Sequence, residues 1–294
     1  MSYPVVDLTN CDKEPIHILG KVQTYGFLVA VDQSSFIVQY ASDNLADFTD
    51  VSYEHILGKP LLDFLRQIDT GDKSDAIHSV IRLGGDNGYS TFNPLRLNIN
   101  NKSYNLIIHV SGEYIVLEFE QEISDIEQQL QSLIGSSLSR ILEGGTLSDT
   151  LNLAAQQIKE LIGYDRVMIY KFWEDGHGEV VAEQRKADLE PFMGLHYPAS
   201  DIPKQARELY KINLTRIIAD VDSVPSPIYN AASSDKPLDL THSTLRAVSS
   251  IHVEYLKNMG VKASFSVSLI SNDELWGLIA CHNYSPRFID FRAR

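Results

Sequence analysis

The spacing of apolar positions changes character several times along the chain. Residues 1–22 have no clear periodicity. Gly26-Phe27-Leu28-Val29-Ala30-Val31 is then a continuous apolar run, followed by Asp32-Gln33-Ser34-Ser35 and a second β-rich run, Phe36-Ile37-Val38-Gln39-Tyr40-Ala41. Two such runs around a polar turn predict a hairpin. Short helical pieces are predicted at 44–48, 52–57 and 73–83. Two further strands follow at 103–110 and 113–119, on either side of Ser111-Gly112. A sheet with helices between its second and third strands makes one mixed unit of about 120 residues, an ordinary domain size.

The period then lengthens. Ser124-Asp125-Ile126-Glu127 has the form of a capping box. Ile126, Leu130, Leu133, Ile134, Leu138, Ile141 and Leu142 follow at steps of 4, 3, 1, 4, 3 and 1, one face of a helix that Gly144-Gly145 ends. A second helix is predicted over 147–162, strands over 166–172 and 180–183, a helix after Pro203, and a strand over 216–221. Residues 222–240 are rich in Ser, Pro and Asp without strong periodicity, and a loop that long inside a domain usually has a function or is disordered. A helix is predicted from 243 to 258, stopped at Gly260. A final hairpin pairs 263–270 with 275–282. The last residues, Phe291-Arg292-Ala293-Arg294, read as the start of a helix cut short, so a fragment of a longer protein is expected.

Composition narrows the function classes. Apolar residues make up 44% and charged residues 22%, a globular mix. The apolar run at 275–281 is far shorter than the roughly 20 residues of a membrane span, and no signal peptide opens the chain. Acidic residues outnumber basic ones 39 to 25, for a net charge of −14, against the basic face of a nucleic-acid binder. Only two cysteines occur, Cys11 and Cys281, so there is no disulfide framework. A cytoplasmic protein with reduced thiols and no nucleic-acid or membrane partner is expected.

No P-loop, nucleophile elbow, HExxH or kinase signature is present. Four clusters remain. Cys11 lies in a polar N-terminal segment, either incidental or kept for a covalent bond. Tyr197-Pro198-Ala199-Ser200-Asp201-Ile202-Pro203 is stiffened by prolines. Asp201 and Ser200 there either cap a helix or present rigid carbonyls to a ligand. Arg246 and His252, six positions apart on one expected helix, are about 120° apart around it. With Arg216, Arg246 suits two carboxylates, since guanidinium binds carboxylate bidentately; surface ion pairs explain them equally. His282 ends the apolar run Trp276-Gly277-Leu278-Ile279-Ala280-Cys281, either as a core residue or as a ligand contact.

These residues stand within longer motifs. Cys11 precedes Glu14-Pro15-Ile16-His17-Ile18; Asp165-Arg166-Val167-Met168-Ile169-Tyr170 follows, then Pro198-Ala199-Ser200-Asp201-Ile202-Pro203. Leu245-Arg246-Ala247-Val248-Ser249-Ser250-Ile251-His252 and Leu275-Trp276-Gly277-Leu278-Ile279-Ala280-Cys281-His282 complete the set. Through them nearly the whole chain resembles the chromophore-binding half of a bacteriophytochrome, a red/far-red photoreceptor. The resemblance implies an α+β chain: a PAS domain over 23–122, then a GAF domain over 123–294, each an antiparallel sheet with flanking helices. The N-terminal segment, 1–22, would carry the bilin cysteine and thread through a GAF loop as a knot. Residues 222–240 look like that loop, with Val22 near the crossing.

The same resemblance implies residue roles. Cys11 would form a thioether to biliverdin IXα. The Asp201 carbonyl and the His252 ring would accept from the pyrrole N–H groups. Arg216 and Arg246 would hold the propionates, helped by Ser264 and Ser266, and His282 would bond the D-ring carbonyl. Tyr170, Tyr197 and Tyr255 would surround the D ring, which rotates after light absorption; Ile202 and Tyr210 complete the expected site. Ile251 stands where plant-type phytochromes carry their attaching cysteine, which leaves Cys11 as the anchor. Ser250 replaces a proline common in relatives, and Asn283 a histidine. The apolar face of the helix over 126–142 predicts a homodimer through the GAF helices, or else packing on its own GAF sheet. The resemblance further implies PHY and histidine kinase domains in the full-length protein, with no enzymatic activity in this chain. Without PHY, the light cycle is expected to begin but not to complete. The rival readings are a GAF sensor of a cyclic nucleotide or other small effector and a thiol redox sensor.

Overall fold

The computed structural model describes residues 14–68, 73–84, 88–123, 127–232 and 236–294. Cys11 and the expected helix cap at Ser124 lie outside them. The chain opens with strand β1 (Lys21–Val22), β2 (Gly26–Asp32) and β3 (Val38–Ser42). Four helices follow: α1 (Leu45–Thr49), α2 (Tyr53–Ile56), α3 (Leu61–Gln67) and α4 (Ser74–Gly84). Strands β4 (Leu95–Ile99), β5 (Lys102–Ser111) and β6 (Tyr114–Gln121) come next. Helices α5 (Glu127–Leu142) and α6 (Leu147–Ile162) lead to β7 (Arg166–Phe172), β8 (Gly178–Arg185) and β9 (His196–Tyr197). A 3-10 turn at Ala199–Asp201, helix α7 (Lys204–Ile212), β10 (Thr215–Ile218), β11 (Ser226–Asn230), α8 (Ser250–Asn258), β12 (Ala263–Ser271) and β13 (Glu274–Asn283) follow. The chain divides into two compact units. One takes His17–Ile123 and Ser223–Val248; the other takes Ser124–Asp222, Ser249–Arg294 and the described residues before His17.

The first unit is built on a seven-stranded sheet in the order β1-β11-β3-β2-β6-β5-β4. The expected hairpin is β2–β3, with Val29 opposite Ala41 and Ala30 opposite Tyr40. Its first strand is apolar from Gly26 to Val31, before Asp32 ends it, because both sheet faces are covered. On one face Phe27, Val29 and Val31 join the helical residues Leu45, Leu61, Phe64 and Ile81. On the other, Leu28 and Ala30 meet Val22, Leu238, Leu240 and Leu245.

That second cover is supplied by the stretch expected to be an unpatterned loop. It contains strand β11, which pairs with both β1 and β3. Residues 17–23 are bonded on two sides. Ile228 N–H donates to the Gly20 carbonyl, while Leu240, Gln23 and Ala247 N–H groups bond the carbonyls of His17, Leu245 and Lys21. The helix expected from 243 therefore starts only at Ser250. Arg246 is extended, bridged to Val22, so it does not share a helix with His252. Pairing with distant backbone overrides the local helical spacing.

Glu118 on β6 fastens this strap. Its carboxylate, with no exposed surface, accepts from Ser243 Oγ at 2.7 Å, Leu245 N at 2.7 Å and Thr244 N at 3.2 Å. Burial pushes the Glu118 carboxyl up, and these bonds oppose the shift.

The second unit has a six-stranded sheet, β10-β12-β13-β7-β8-β9. The expected hairpin is β12–β13. Helix α6 starts at Thr146, whose Oγ1 accepts from Asp149 N at 3.2 Å and donates to Asp149 Oδ2 at 2.7 Å. This cap satisfies one of the first-turn N–H groups that the helix leaves open. The helix ends at Gly163 in a left-handed conformation, φ 64°.

Candidate chromophore site

Directly paired residues in an antiparallel sheet share a face, so the register of the second sheet places the candidate residues. One row across the strands reads Ile218, Ser264, His282, Arg166. The next reads Arg216, Ser266, Ala280, Met168, and a third Ser268, Leu278, Tyr170. The middle of this face is therefore small and polar, with Ser264, Ser266 and Ala280 between longer side chains. The alternate row, Ile217, Phe265, Cys281 and Val167, lies on the opposite face. Cys281 is fully buried there and burial pushes its thiol up, so it is an inert core residue.

The other candidates rim this floor. Met168, Tyr170, Val180 and Leu278 form a cluster against which Tyr197, Ile202 and Tyr210 pack. The Tyr170 and Tyr197 ring centroids are 6.0 Å apart. Space for Tyr170 depends on Gly178, where a Cβ would lie 1.9 Å from the Tyr170 ring. Tyr210 is held by its carbonyl, which accepts from Ser268 Oγ at 2.6 Å. From helix α8, Tyr255 donates to Asp201 Oδ2 at 3.3 Å and stacks on His252 at 6.2 Å.

Electrostatics on this face keep both imidazoles neutral. Burial, with the Arg216 charge adding to it, lowers His252 to about 4. Burial followed by Arg166 and His252 lowers His282 to about 3. His282 Nδ1 is buried and finds no hydrogen-bond partner among the described residues. Such an atom asks for a ligand or a water. Burial raises the Asp201 carboxyl against the Tyr255 bond, raises Tyr170 to about 12, and pushes Tyr255 up as well.

The structure thus brings together Tyr170, Tyr197, Asp201, Ile202, Tyr210, Arg216, His252, Tyr255, Ser264, Ser266 and His282 in one unit. Arg246 belongs to the other, where its Nη1 lies 3.4 Å from the Leu240 and Thr241 carbonyls. Three supports escaped the sequence reading. Arg166 makes a buried ion pair with Glu183, donates to the Glu190 carbonyl at 2.7 Å and lies over the Phe192 ring at 3.7 Å. Arg207 bonds the Ala199 and Ile202 carbonyls. Glu14 accepts a short bond from Ser249 Oγ at the head of α8. Arg166 and Glu14 lie inside quoted motifs, which was the one available signal; nothing local marked Arg207.

A sheet of this topology after the first unit's sheet defines a PAS–GAF sensory chain. Family profiles agree: a PAS fold matches residues 11–122 and a GAF domain residues 146–293. The chain is 37% identical to the bacteriophytochrome of Pseudomonas aeruginosa and 36% identical to cyanobacterial phytochrome B of a Nostoc species. Each match covers 98% of the chain and 39% of the relative, so the chain spans about two fifths of the length of these curated relatives. A crystal structure of the chromophore-binding domain of a Stigmatella aurantiaca bacteriophytochrome variant, in the Pr state, superposes with a TM-score of 0.89. The two are 35% identical, and the match covers 97% of this chain and 94% of that one. This chain belongs to the bacteriophytochrome family.

Proposed function

We propose that this chain is the chromophore-binding, light-sensing part of a longer phytochrome, and that it holds biliverdin IXα through Cys11. The observation that carries the reading is the floor of Ser264, Ser266 and Ala280 with Arg216 at one side and the buried His282 Nδ1 at the other. It fits a flat, largely apolar molecule that ends in a carboxylate and a carbonyl. When bound, a bilin supplies the conjugated light-absorbing system and the double bond about which its D ring turns from Z to E.

The chain's own residues do the rest. Arg216 binds a propionate, with Ser264 and Ser266 beside it. Neutral His252 and the Asp201 carbonyl accept from inward N–H groups, which burial would otherwise leave unpaired. His282, with its proton on Nδ1, donates to a carbonyl. Tyr170, Tyr197 and Tyr255 bound the space in which a ring turns and exclude water from it. Cys11 would hold the bilin covalently, its sulfur adding to a vinyl group of the pigment with the thiol proton ending on the other vinyl carbon. Cys11 is three residues before Glu14, a reach of at most about 10 Å, and Glu14 is bonded to Ser249 of the same unit. The two-sided pairing of residues 17–23 supports the threaded crossing that the family resemblance implies. Light output would pass to domains outside this chain.

The test is colour and covalency. Purified with biliverdin, the parent is expected to show a strong red absorption band and a fluorescent band on denaturing electrophoresis. Cys11→Ser should keep part of the colour and lose the covalent band, because Arg216 and the histidines hold the pigment independently. A colourless parent overturns the chromophore reading. A covalent band that survives in Cys11→Ser overturns the attachment site.

A further inference from the structure

The turn that carries Asp201 has little backbone support of its own. Pro198 and Pro203 have no N–H to donate. Within the turn, Asp201 N–H donates to the Pro198 carbonyl at 3.1 Å. The carbonyls on either side of Ser200 and Asp201 are satisfied instead by a side chain from the next helix. Arg207 Nε donates to the Ile202 carbonyl at 2.7 Å, and its Nη2 to the Ala199 carbonyl at 3.0 Å.

Two other segments hold the guanidinium in that position. It lies over the Phe172 ring, 5.0 Å from the centroid, at the end of β7. On its other side is Gly176, in the turn after β7. Gly176 is left-handed, φ +85°, and a Cβ there would come within 2.8 Å of Arg207 Nη1 and 3.3 Å of the Ala199 Cβ. The glycine is thus needed both for the turn and for the room the guanidinium takes. A planar fork bonding two carbonyls at once fixes their relative direction, which a lysine ammonium cannot do. The Asp201 carboxyl is not part of this contact and points instead to Tyr255.

We infer that Arg207 is a positioning residue of the proposed chromophore site: by bridging the Ala199 and Ile202 carbonyls it sets the direction of the Asp201 carbonyl between them. The inference rests on the reading of Asp201 as an acceptor for the bilin, but the support it describes exists without pigment. Arg207 acts through the turn, by its bonds to the Ala199 and Ile202 carbonyls.

The experiment compares the parent with Arg207→Lys, which keeps the charge and most of the side chain, and with Arg207→Ala. Amide hydrogen exchange at residues 199–202 and NMR titration of the Asp201 carboxyl are followed without pigment, alongside thermal unfolding. Arg207→Lys should unfold near the parent temperature yet exchange at Asp201 roughly tenfold faster, the loss expected for one hydrogen bond. The Asp201 carboxyl should titrate closer to an ordinary carboxylate as the loosened turn admits water. After loading with biliverdin, Arg207→Lys should show a broadened red band. If Arg207→Lys leaves both the Asp201 exchange rate and the carboxyl titration at parent values, Arg207 does not position the turn. A parent that takes up no biliverdin overturns the function proposed above, while the exchange result still decides whether Arg207 holds the turn.

Discussion

His252 and His282 set the acid sensitivity of the second unit. In an unfolded chain an imidazole binds a proton near pH 6.5. In the fold, burial delays this to about 4 for His252 and about 3 for His282. Between those limits the unfolded state binds more protons, so stability is intact above about pH 6.5 and declines as pH falls. Each histidine steepens the decline by up to about 1.4 kcal/mol per pH unit. Asp201, raised by burial, pulls the other way, so the contribution must be read as a difference. Chemical denaturation from pH 7 to 4 should give a flatter curve for His252→Gln/His282→Gln than for the parent. Parallel curves would mean that neither imidazole is neutral in the fold.

At the scale of elements, the strap of residues 238–247 depends on one carboxylate. Glu118 holds two backbone N–H groups and the Ser243 and Thr244 hydroxyls. A hydrogen bond to a charged group is worth about 1.5–3 kcal/mol. Glu118→Gln keeps the shape but turns one acceptor oxygen into an NH₂ donor facing donors. It should lower the unfolding free energy by at least that much and speed amide exchange at Thr244 and Leu245 while sparing α6. Unchanged exchange at those two amides would show that the strap is held without Glu118, by its apolar contacts and its backbone bonds to His17, Lys21 and Gln23.

For the whole molecule, the open question of assembly turns on α5. Ile134, Leu138 and Leu142 are 47%, 55% and 75% exposed and follow at four-residue steps along the helix. Such a row is one face of a helix, and it supports the expected homodimer. Leu138→Glu should convert a dimer to a monomer in sedimentation equilibrium without changing the thermal midpoint by more than a few degrees. A parent that sediments as a monomer at all concentrations removes the dimer.

Much of the fold was legible in the chain because the forces that set it act locally. The apolar run at 26–31 and the polar turn after it announced the β2–β3 hairpin. The β12–β13 hairpin and the spacing along α6 needed only a few neighbouring residues to declare themselves. The motifs around Tyr170, Asp201, His252 and His282 singled out residues that the fold gathers in one unit. What the sequence could not decide was pairing across distance. Arg246 falls in a stretch whose spacing predicts a helix but lies in extended backbone, because it pairs with Val22 and Gln23, more than 220 positions away. Residues 226–230 lack a strand pattern and become one between two distant strands. Arg207 reads as an ordinary helix residue until the turn before it is found to lack donors. Local spacing fixes which conformations a segment can adopt cheaply; the choice among them is made by hydrogen-bond partners that only the folded chain brings near.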